Sequence, residues 1–294
     1  MILATGAGGM VGNYISEVYG DNQVHCMDSR TLDVRDARLV MDTVGQIKPN
    51  LVIHLAAETD LDRCEQEADH AYRTNVIGTM NVALACQQHG ADLAYVSTAG
   101  IFDGLKAEPY TEFDEPSPLN VYAKTKLEGE KVVQSLLQRF YIFRTCWLFG
   151  GEQKDKKFVG KIVSLCMDKD EVRIVDDTIG NPTYAREFLQ RLKSITETGL
   201  YGLYHLSNTG SCSRYDVARE ISRWLDQNLR IIPVDSTVFP LPAPRPRSEA
   251  IRNYKLELLG LEKMRPWQEA LKEYLGNWIS RPCACRDSRK NEGG

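Results

Sequence analysis

A tyrosine and a lysine in the middle of the chain form the pattern Y-x-x-x-K, at Tyr122 and Lys126. Residues four apart lie on the same face of a helix, so the phenol and the ammonium group are expected to be neighbours. A nearby cation lowers the pKa of a tyrosine from its ordinary value of about 10. Such a phenol can donate a proton to a carbonyl oxygen as hydride reaches the carbon, which predicts a reductase. Because the pattern also occurs by chance on exposed helices, the prediction depends on finding a site for a hydride carrier.

The first half of the chain alternates apolar strand patterns with helical patterns. Strands are predicted over 1–4, 23–27, 51–55, 93–96 and 141–143, and helical segments end near 19 and cover 36–46, 65–89 and 118–139. This alternation predicts a parallel sheet with helices on both faces. The expected fold class is α/β, with a Rossmann-type doubly wound parallel sheet and a smaller C-terminal substrate-binding lobe.

Glycines near the start of the chain predict a nucleotide site. Gly6, Gly9 and Gly12 separate the first strand from the first helix, where a bare backbone can approach a pyrophosphate. Asp28 ends the second strand, where a carboxylate accepts the ribose hydroxyls of NAD, whereas Arg30 is close enough to pair with the 2′-phosphate of NADP. NADH and NADPH are therefore both candidate cofactors. Further predicted cofactor contacts are Met10, Val11, Ser29, Asp33, Val34, Leu55, Ala56 and Ala57.

The second half of the chain is less regular. Strands are predicted over 172–175 and 203–206, and a helix over 214–225. The proline-rich run 240–247 is incompatible with a helix or a central strand, so an extended loop is expected there. We predict an NAD(P)-binding domain at 1–150, a mainly substrate-binding lobe at 151–280 with segments that return to the main sheet, and a polar tail at 281–294.

Bulk properties narrow the class of protein. The 294 residues carry a net charge of −4 with both signs interspersed, which argues against a nucleic-acid-binding protein with a basic face. No apolar run reaches the roughly 20 residues of a membrane span, and the glycines leave no room for a signal peptide. The C-x-C at Cys283 and Cys285 has no second ligand cluster, so no metal site is predicted. A reducing cytoplasm is the expected setting, and the cysteines expected to be buried thiols are Cys26, Cys86, Cys146 and Cys166.

Together the motifs resemble the extended short-chain dehydrogenase/reductase superfamily. They are T-G-x-x-G-x-x-G at 5–12, N-x-x-G at 75–78, S-T at 97–98 and Y-x-x-x-K at 122–126. Within it, the chain resembles the dTDP-4-dehydrorhamnose reductase family in S-T-A-G-I-F-D-G at 97–104, S-P-L-N-V-Y-A-K-T-K-L-E-G-E at 117–130, R-T-C-W at 144–147, G-N-P-T at 180–183, G-L-Y-H-L-S at 202–207 and R-P-R-S at 245–248. The motifs keep their order and spacing up to about residue 279.

This resemblance implies NAD(P)H-dependent reduction of the 4-keto group of a nucleotide-linked deoxysugar, most closely dTDP-4-dehydrorhamnose to dTDP-L-rhamnose. Thr98 corresponds to the hydroxyl that bonds the substrate carbonyl, and Tyr122 to the proton donor. Lys126 corresponds to the residue that holds the nicotinamide ribose and lowers the tyrosine pKa. Thr59, Asn75 and Tyr122 join the cofactor contacts. The implied sugar-binding residues are Thr59, Asp60, Leu61, Thr98, Tyr122, Trp147, Arg245 and Arg247, with core packing as the alternative role for Trp147 and support of the proline-rich loop for the two arginines.

One position departs from the family. Relatives usually read S-T-D-Y-V-F where this chain has S-T-A-G-I-F, so Gly100 replaces a tyrosine that helps to bind the sugar. The change leaves the sugar open and argues against a dehydratase, which needs an acid and a base after Thr98. Two alternatives stay open: a nucleotide-sugar epimerase of the same superfamily, and a non-catalytic regulatory subunit like the β-subunit of methionine adenosyltransferase. A homodimer is one expected assembly.

Overall fold

A computed structural model describes residues 1–155, 157–226 and 229–280, without the side chains of residues 153, 167, 168, 279 and 280. The strands are β1 (Ile2–Thr5), β2 (Val24–Met27), β3 (Leu51–His54), β4 (Asp92–Thr98), β5 (Phe140–Thr145), β6 (Leu148–Phe149), β7 (Glu171–Val175), β8 (Ile179–Gly180), β9 (Thr183–Tyr184), β10 (Gly202–His205), β11 (Cys212–Ser213) and β12 (Arg230–Val234). The α-helices are α1 (Ile15–Tyr19), α2 (Ala37–Ile47), α3 (Leu61–Gln66), α4 (Ala68–Tyr72), α5 (Gly78–His89), α6 (Val121–Leu136), α7 (Phe158–Asp168), α8 (Ala185–Glu197), α9 (Arg214–Trp224), α10 (Tyr254–Leu258) and α11 (Trp267–Ser280). The polar tail with Cys283 and Cys285 lies outside the described residues.

Six strands form one parallel sheet in the order β10, β5, β4, β3, β1, β2. β10 lies far along the chain, yet it pairs with β5, with Gly202 opposite Tyr141. Three two-stranded pairings lie outside this sheet, namely β7 with β12, β8 with β11, and β6 with β9. The predicted α/β fold with a parallel sheet is confirmed.

Helices cover both faces of the sheet because neighbouring strand residues point to opposite sides. In β1, Leu3 packs in a core that includes Val44 of α2 and Val82 of α5. The next residue, Ala4, belongs to the other core, which includes Phe188 of α8. All five residues are at most 1 % exposed. This arrangement leaves the carboxyl ends of the strands free to form a site, as is usual in doubly wound folds.

The helix predicted over 65–89 is divided into several pieces. The chain breaks at Glu67, where φ is −121° and ψ is 59°, and α4 is followed by a π-helical turn at Arg73–Ile77 before α5 begins. Such wide turns often occur at functional sites. Here the turn carries Asn75, whose side chain is fully buried.

The prediction that Cys26 is buried was wrong, because this residue is exposed. It lies on β2, which is the edge strand of the main sheet, and both His25 and Cys26 face solvent there. Cys86, Cys146 and Cys166 are buried free thiols as predicted. In the described ranges no helix is long and apolar enough to cross a membrane, and no three His, Cys, Asp or Glu side chains are grouped as a metal site.

Candidate active site

Helix α6 is held close to the edge of the sheet at which the strands have their carboxyl ends. Asn120 caps the helix by accepting the Ala123 N–H at 2.9 Å. A β-carbon on Gly129 would lie 2.3 Å from the Tyr95 hydroxyl, so glycine permits this close approach. Further along the helix, a buried ion pair joins Glu130 to Arg144 of β5, with Nη2 and Oε2 2.7 Å apart. These contacts place the first turns of α6 beside the ends of β4 and β5.

The predicted catalytic residues come together at this edge. Thr98, Tyr122 and Lys126 all line one cavity of about 1100 Å³. Burial raises the pKa of Tyr122 above its ordinary value, while a hydrogen bond with Thr98 acts in the opposite direction. The phenol is therefore protonated at neutral pH, which is the state that a proton donor requires.

The sequence predicted that Lys126 lowers the pKa of Tyr122, but in the free chain it does not. Its Nζ atom lies 4.1 Å from the centroid of the Tyr95 ring, an arrangement typical of a cation–π contact. Burial lowers the pKa of Lys126 to about 7, although the nearby Glu130 carboxylate raises it. Burial is the largest influence on the Tyr122 pKa, and Lys126 is not among the groups that shift it.

The glycine turn packs closely against neighbouring main chain at two of its glycines and leaves the third open. Gly6 has φ of +67°, and a β-carbon on it would lie 2.5 Å from the Ala56 nitrogen. A β-carbon on Gly12 would lie 2.1 Å from the Ala7 carbonyl oxygen. Gly9 differs because its β-carbon would meet only the Gly6 oxygen, at 3.4 Å. The turn is thus compact on its inner side and open toward the cavity.

At the far end of this cofactor region, two arginines flank the acidic residues. Arg30 donates to the Asp28 carboxylate from Nη2 at 2.8 Å, and this contact is the main reason why the pKa of Asp28 falls to about 2. The Arg30 side chain is 89 % exposed. Arg35 pairs with Asp33 at 2.7 Å and lines the cavity. This region therefore offers a carboxylate that could accept hydrogen bonds from ribose hydroxyls and two guanidinium groups that could pair with a phosphate.

Most predicted cofactor and sugar contacts line this cavity. They are Gly6, Gly9, Met10, Val11, Gly12, Asp28, Ser29, Asp33, Val34, Leu55, Ala56, Ala57, Thr59, Leu61, Thr98, Tyr122, Lys126, Trp147 and Arg245. Four predicted residues do not line it, namely Arg30, Asp60, Asn75 and Arg247. The cavity therefore extends from the glycine turn, past the catalytic residues, to the tryptophan.

Two of these outlying residues support the cavity wall. The Asn75 amide accepts the Glu58 N–H at 2.8 Å and donates to Thr125 Oγ1 at 2.9 Å, so it fastens the loop after β3 to α6. Asp60 caps α3 by accepting the Asp62 and Arg63 N–H groups at 3.1 and 3.0 Å.

The proline-rich segment 240–247 has no helix or strand, as predicted, and its Arg245 lines the cavity. Arg245 braces this loop by donating to Asp62 Oδ1 at 2.9 Å and to the Ala243 carbonyl at 2.7 Å. The Arg247 main chain is joined to β8, because its carbonyl accepts the Ile179 N–H at 2.8 Å. The bracing role considered for Arg245 is therefore present alongside its position in the cavity wall.

Trp147 lines the cavity at the end that is predicted to hold the sugar. Its φ of 39° lies in the left-handed region, which bulky residues rarely adopt. The ring rests on Gly180, where a β-carbon would lie 2.4 Å from Cε2. The Arg214 guanidinium stacks on the ring at 3.7 Å from its centroid, and the indole N–H donates to Glu249 Oε2 at 3.0 Å.

Sequence reasoning missed several residues of the cavity wall. They are Gly8, Leu32, Arg35, Glu58, His70, Thr74, Val96, Gly100, Asn120, Thr145, Leu148, Lys154, Lys157, Phe158, Val159, Pro182, Arg214, Val217 and Glu249. For two of them a signal was available. Arg214 is the first residue of the helix predicted over 214–225, and Glu249 directly follows the R-P-R-S motif. Neither position alone indicates that the side chain turns toward the tryptophan.

The doubly wound sheet, the glycine turn and the Thr98–Tyr122–Lys126 arrangement define a fold and site of the short-chain dehydrogenase/reductase class. Residues 1–279 match the family model described as RmlD substrate binding domain. The chain belongs to this family, so the predicted family is confirmed.

Relatives in this family are similar over nearly their whole length. The chain is 32 % identical to the spore coat polysaccharide biosynthesis protein SpsK of Bacillus subtilis, over 93 % of this chain and 96 % of that protein. The crystal structure of a dTDP-4-dehydrorhamnose reductase from Clostridium acetobutylicum has a TM-score of 0.91 at 38 % identity, covering 95 % and 99 % of the two chains. That of the Bacillus anthracis enzyme in complex with NADP has a TM-score of 0.91 at 35 % identity, covering 94 % and 98 %.

Proposed function

We propose that the chain is an NAD(P)H-dependent reductase of the 4-keto group of a nucleotide-linked deoxysugar. Its first candidate substrate is dTDP-4-dehydrorhamnose, with dTDP-L-rhamnose as the product. The observation that carries this proposal is the single cavity that joins the glycine turn to Thr98, Tyr122 and Lys126. The names of relatives in the same family support the choice of substrate.

The chain's own residues supply the proton and the orientation. A bound reduced nicotinamide supplies the hydride. Tyr122 donates its phenolic proton to the carbonyl oxygen, and Thr98 bonds the same oxygen and polarises it. Lys126 would hold the ribose next to the nicotinamide, because the ribose hydroxyls offer hydrogen-bond acceptors to its buried amino group. Because the Tyr122 pKa is raised, the proton is present at neutral pH and leaves only as negative charge develops on the substrate oxygen.

The residues present fit either nicotinamide cofactor. The open side of the Gly6–Gly12 turn, at Gly9, would hold the pyrophosphate, and Asp28 would accept hydrogen bonds from the adenosine ribose hydroxyls. Arg30 and Arg35 would pair with a 2′-phosphate. The Bacillus anthracis relative, whose structure contains NADP, supports NADPH as the first cofactor to test.

The proposal is tested by following NADPH and NADH oxidation with a panel of dTDP-linked 4-keto sugars. Tyr122→Phe removes the proton donor, so kcat is expected to fall by about 10²- to 10⁴-fold while the cofactor Kd changes little. Tyr72→Phe, on an exposed tyrosine of α4, is the matched control and keeps full activity. Unimpaired turnover by Tyr122→Phe would remove this residue from the mechanism.

The same assay separates the two alternatives. A reductase consumes one cofactor molecule for each sugar, whereas an epimerase retains NAD and shows no net consumption. A regulatory subunit would show no turnover with any keto sugar and would co-purify with a partner protein.

We also propose a division of labour, in which residues 1–150 bind the cofactor and residues 151–280 mainly form the sugar side, with β10 returning to the main sheet. Arg214 and Glu249 in the cavity wall support this division.

We place the protein in a reducing cytoplasm, which suits the six free thiols among the described residues. A homodimer remains the predicted assembly, and light scattering on the purified chain measures it.

A further inference from the structure

Gly100 leaves space beside the catalytic threonine, and a carboxyl group from a distant segment borders that space. A β-carbon on residue 100 would lie 3.4 Å from Thr98 Oγ1 and 3.7 Å from Glu249 Oε1. The hydroxyl and the carboxylate therefore face the same small region of the cavity. A substrate atom placed there would be within reach of both groups.

The position of Glu249 is set by its main chain and by one of its two carboxylate oxygens. Its N–H donates to the Ile179 carbonyl at 2.8 Å. Oε2 accepts the Trp147 indole N–H at 3.0 Å and lies 4.0 Å from the Cys146 thiol sulfur. Within the described ranges no hydrogen bond to Oε1 is found, and this side chain lines the cavity. Oε2 is thus held by the indole, and Oε1 is available to accept a hydrogen bond from a ligand.

The charges around Glu249 favour a neutral donor as its ligand. Burial raises the pKa of Glu249, and the cations Arg214 and Arg245 act in the opposite direction. Neither arginine forms a direct ion pair with it among the described residues. Two nearby cations repel an ammonium group, whereas a hydroxyl can donate to the free oxygen at little electrostatic cost. Oε1 borders the cavity, so a ligand that displaces water from it would have to supply a donor, and a ligand hydroxyl would do so.

We propose that Glu249 is a specificity-determining residue that accepts a hydrogen bond from the sugar hydroxyl next to the keto carbon. This inference rests on the proposed function. In a 4-keto-6-deoxyhexose the two neighbours of carbon 4 are carbon 3, which bears a hydroxyl, and carbon 5, which bears the methyl group. Because Thr98 and Tyr122 hold the oxygen on carbon 4, the hydroxyl on carbon 3 is the one that reaches Glu249. The chain therefore selects keto sugars that retain this hydroxyl.

The role of Gly100 follows from the same arrangement. A tyrosine at position 100 would have to share its space with Glu249, because the β-carbon alone is already in contact with Oε1. Gly100→Tyr is expected to lower kcat/KM, and the double variant Gly100→Tyr/Glu249→Ala is expected to recover part of the loss. Additive losses in the double variant would show that the two positions do not share this space.

The decisive experiment compares a dTDP-linked 4-keto-6-deoxyhexose with its 3-deoxy analogue. The wild type is expected to prefer the 3-hydroxy substrate in kcat/KM by about 10- to 150-fold, the range for a hydrogen bond to a charged group. Glu249→Ala should remove this preference, and the isosteric Glu249→Gln should retain part of it. Glu220→Ala, on a glutamate of α9 that does not line the cavity, is the control and should keep the preference.

Binding of dTDP-L-rhamnose and its 3-deoxy analogue, measured by calorimetry with NADP⁺ present, separates this inference from the proposed reaction. Absence of turnover, together with a binding preference that Glu249→Ala abolishes, would refute the reductase activity and support the role of Glu249. A wild type without preference, or a Glu249→Ala variant that keeps it, would overturn the role of Glu249 even in an active reductase.

Discussion

The cofactor side and the sugar side of the cavity are built in different ways. The cofactor side depends on backbone geometry within a short stretch, where Gly6 and Gly12 allow main-chain atoms to approach closely. The sugar side depends on side chains from distant segments, where Trp147 meets Arg214 and Glu249. The close main-chain packing of the cofactor side limits the residues that the fold tolerates, and the side chains of the sugar side determine which ligand binds. Substitutions on the two sides should therefore fail in different ways.

The largest expected effect concerns Lys126, where the two sides meet. Its pKa falls from 10.5 to about 7 on folding because the ammonium group is buried. Between these values the unfolded chain binds more protons than the folded chain, so the unfolding free energy rises with pH and is lost as pH falls toward 7. Without cofactor, we expect a rise of roughly 3 kcal/mol between pH 7 and 9.5 relative to Lys126→Met.

Urea unfolding of both proteins across this pH range measures the effect. Taking the difference between them cancels the contributions of other titrating groups. If the unfolding free energies of the two proteins changed with pH in parallel, Lys126 would have an ordinary pKa in the folded chain. Its amino group would then be better solvated than its burial indicates.

The next effect separates folding from binding on the cofactor side. Gly12→Ala places a β-carbon 2.1 Å from the Ala7 oxygen, and we expect a loss of about 1–3 kcal/mol of unfolding free energy from overpacking. In the control Gly9→Ala the nearest atom is 3.4 Å away, so the free chain should keep its stability while the affinity for NADPH falls. Urea unfolding and NADPH titration measure the two results. Equal stability losses would contradict the distinction between the inner and the open side of the turn.

A smaller effect is expected on the sugar side. Trp147→Phe keeps a ring under Arg214 but removes the N–H that donates to Glu249. We expect kcat/KM for the keto sugar to fall by about tenfold, the lower range for a hydrogen bond to a charged group. The Kd for NADPH should stay within about twofold, because no contact with the cofactor side is lost. A parallel loss of NADPH affinity would show that the two sides are not independent.

The smallest effect concerns cofactor choice. Arg30 is largely exposed, so its contribution to binding a 2′-phosphate is limited by solvent screening. Arg30→Ala is expected to reduce the preference for NADPH over NADH by about fivefold, in the range of an exposed ion pair. Arg38→Ala, on an arginine that is 93 % exposed and outside the cavity, is the control. The ratio of kcat/KM values for the two cofactors measures the effect, and an unchanged ratio would exclude Arg30 from phosphate binding.

What the sequence could predict differs between the same two sides. The glycine turn and Asp28 were predictable because each follows a strand directly, and the end of a strand is visible in a local pattern. Glu249 was not, because its partner Trp147 is 102 residues away and only packing brings them together. The motif match identified Trp147 as a sugar contact, yet no local signal identified what would surround it.

Two predictions made from short sequence segments were wrong for the same physical reason. The sign of the Tyr122 pKa shift depends on burial, and spacing along a helix does not report how deep a side chain lies. Likewise, the apolar pattern over 65–89 fits one long helix, whereas the chain widens into a π-helical turn that buries Asn75 against α6. In both cases tertiary contacts override what the isolated segment would adopt.

The return of β10 to the main sheet has a consequence for how this fold can be modified. A chain ended after residue 150 would lose β10 and leave β5 as an unpaired edge. It would also lose α8, whose Phe188 and Leu189 belong to the core on one face of the sheet. The proposed cofactor-binding and sugar-binding halves are therefore not interchangeable modules. A new sugar preference would have to arise by single replacements at positions such as Gly100 and Glu249, because exchange of a whole lobe between relatives would break the sheet that both halves share.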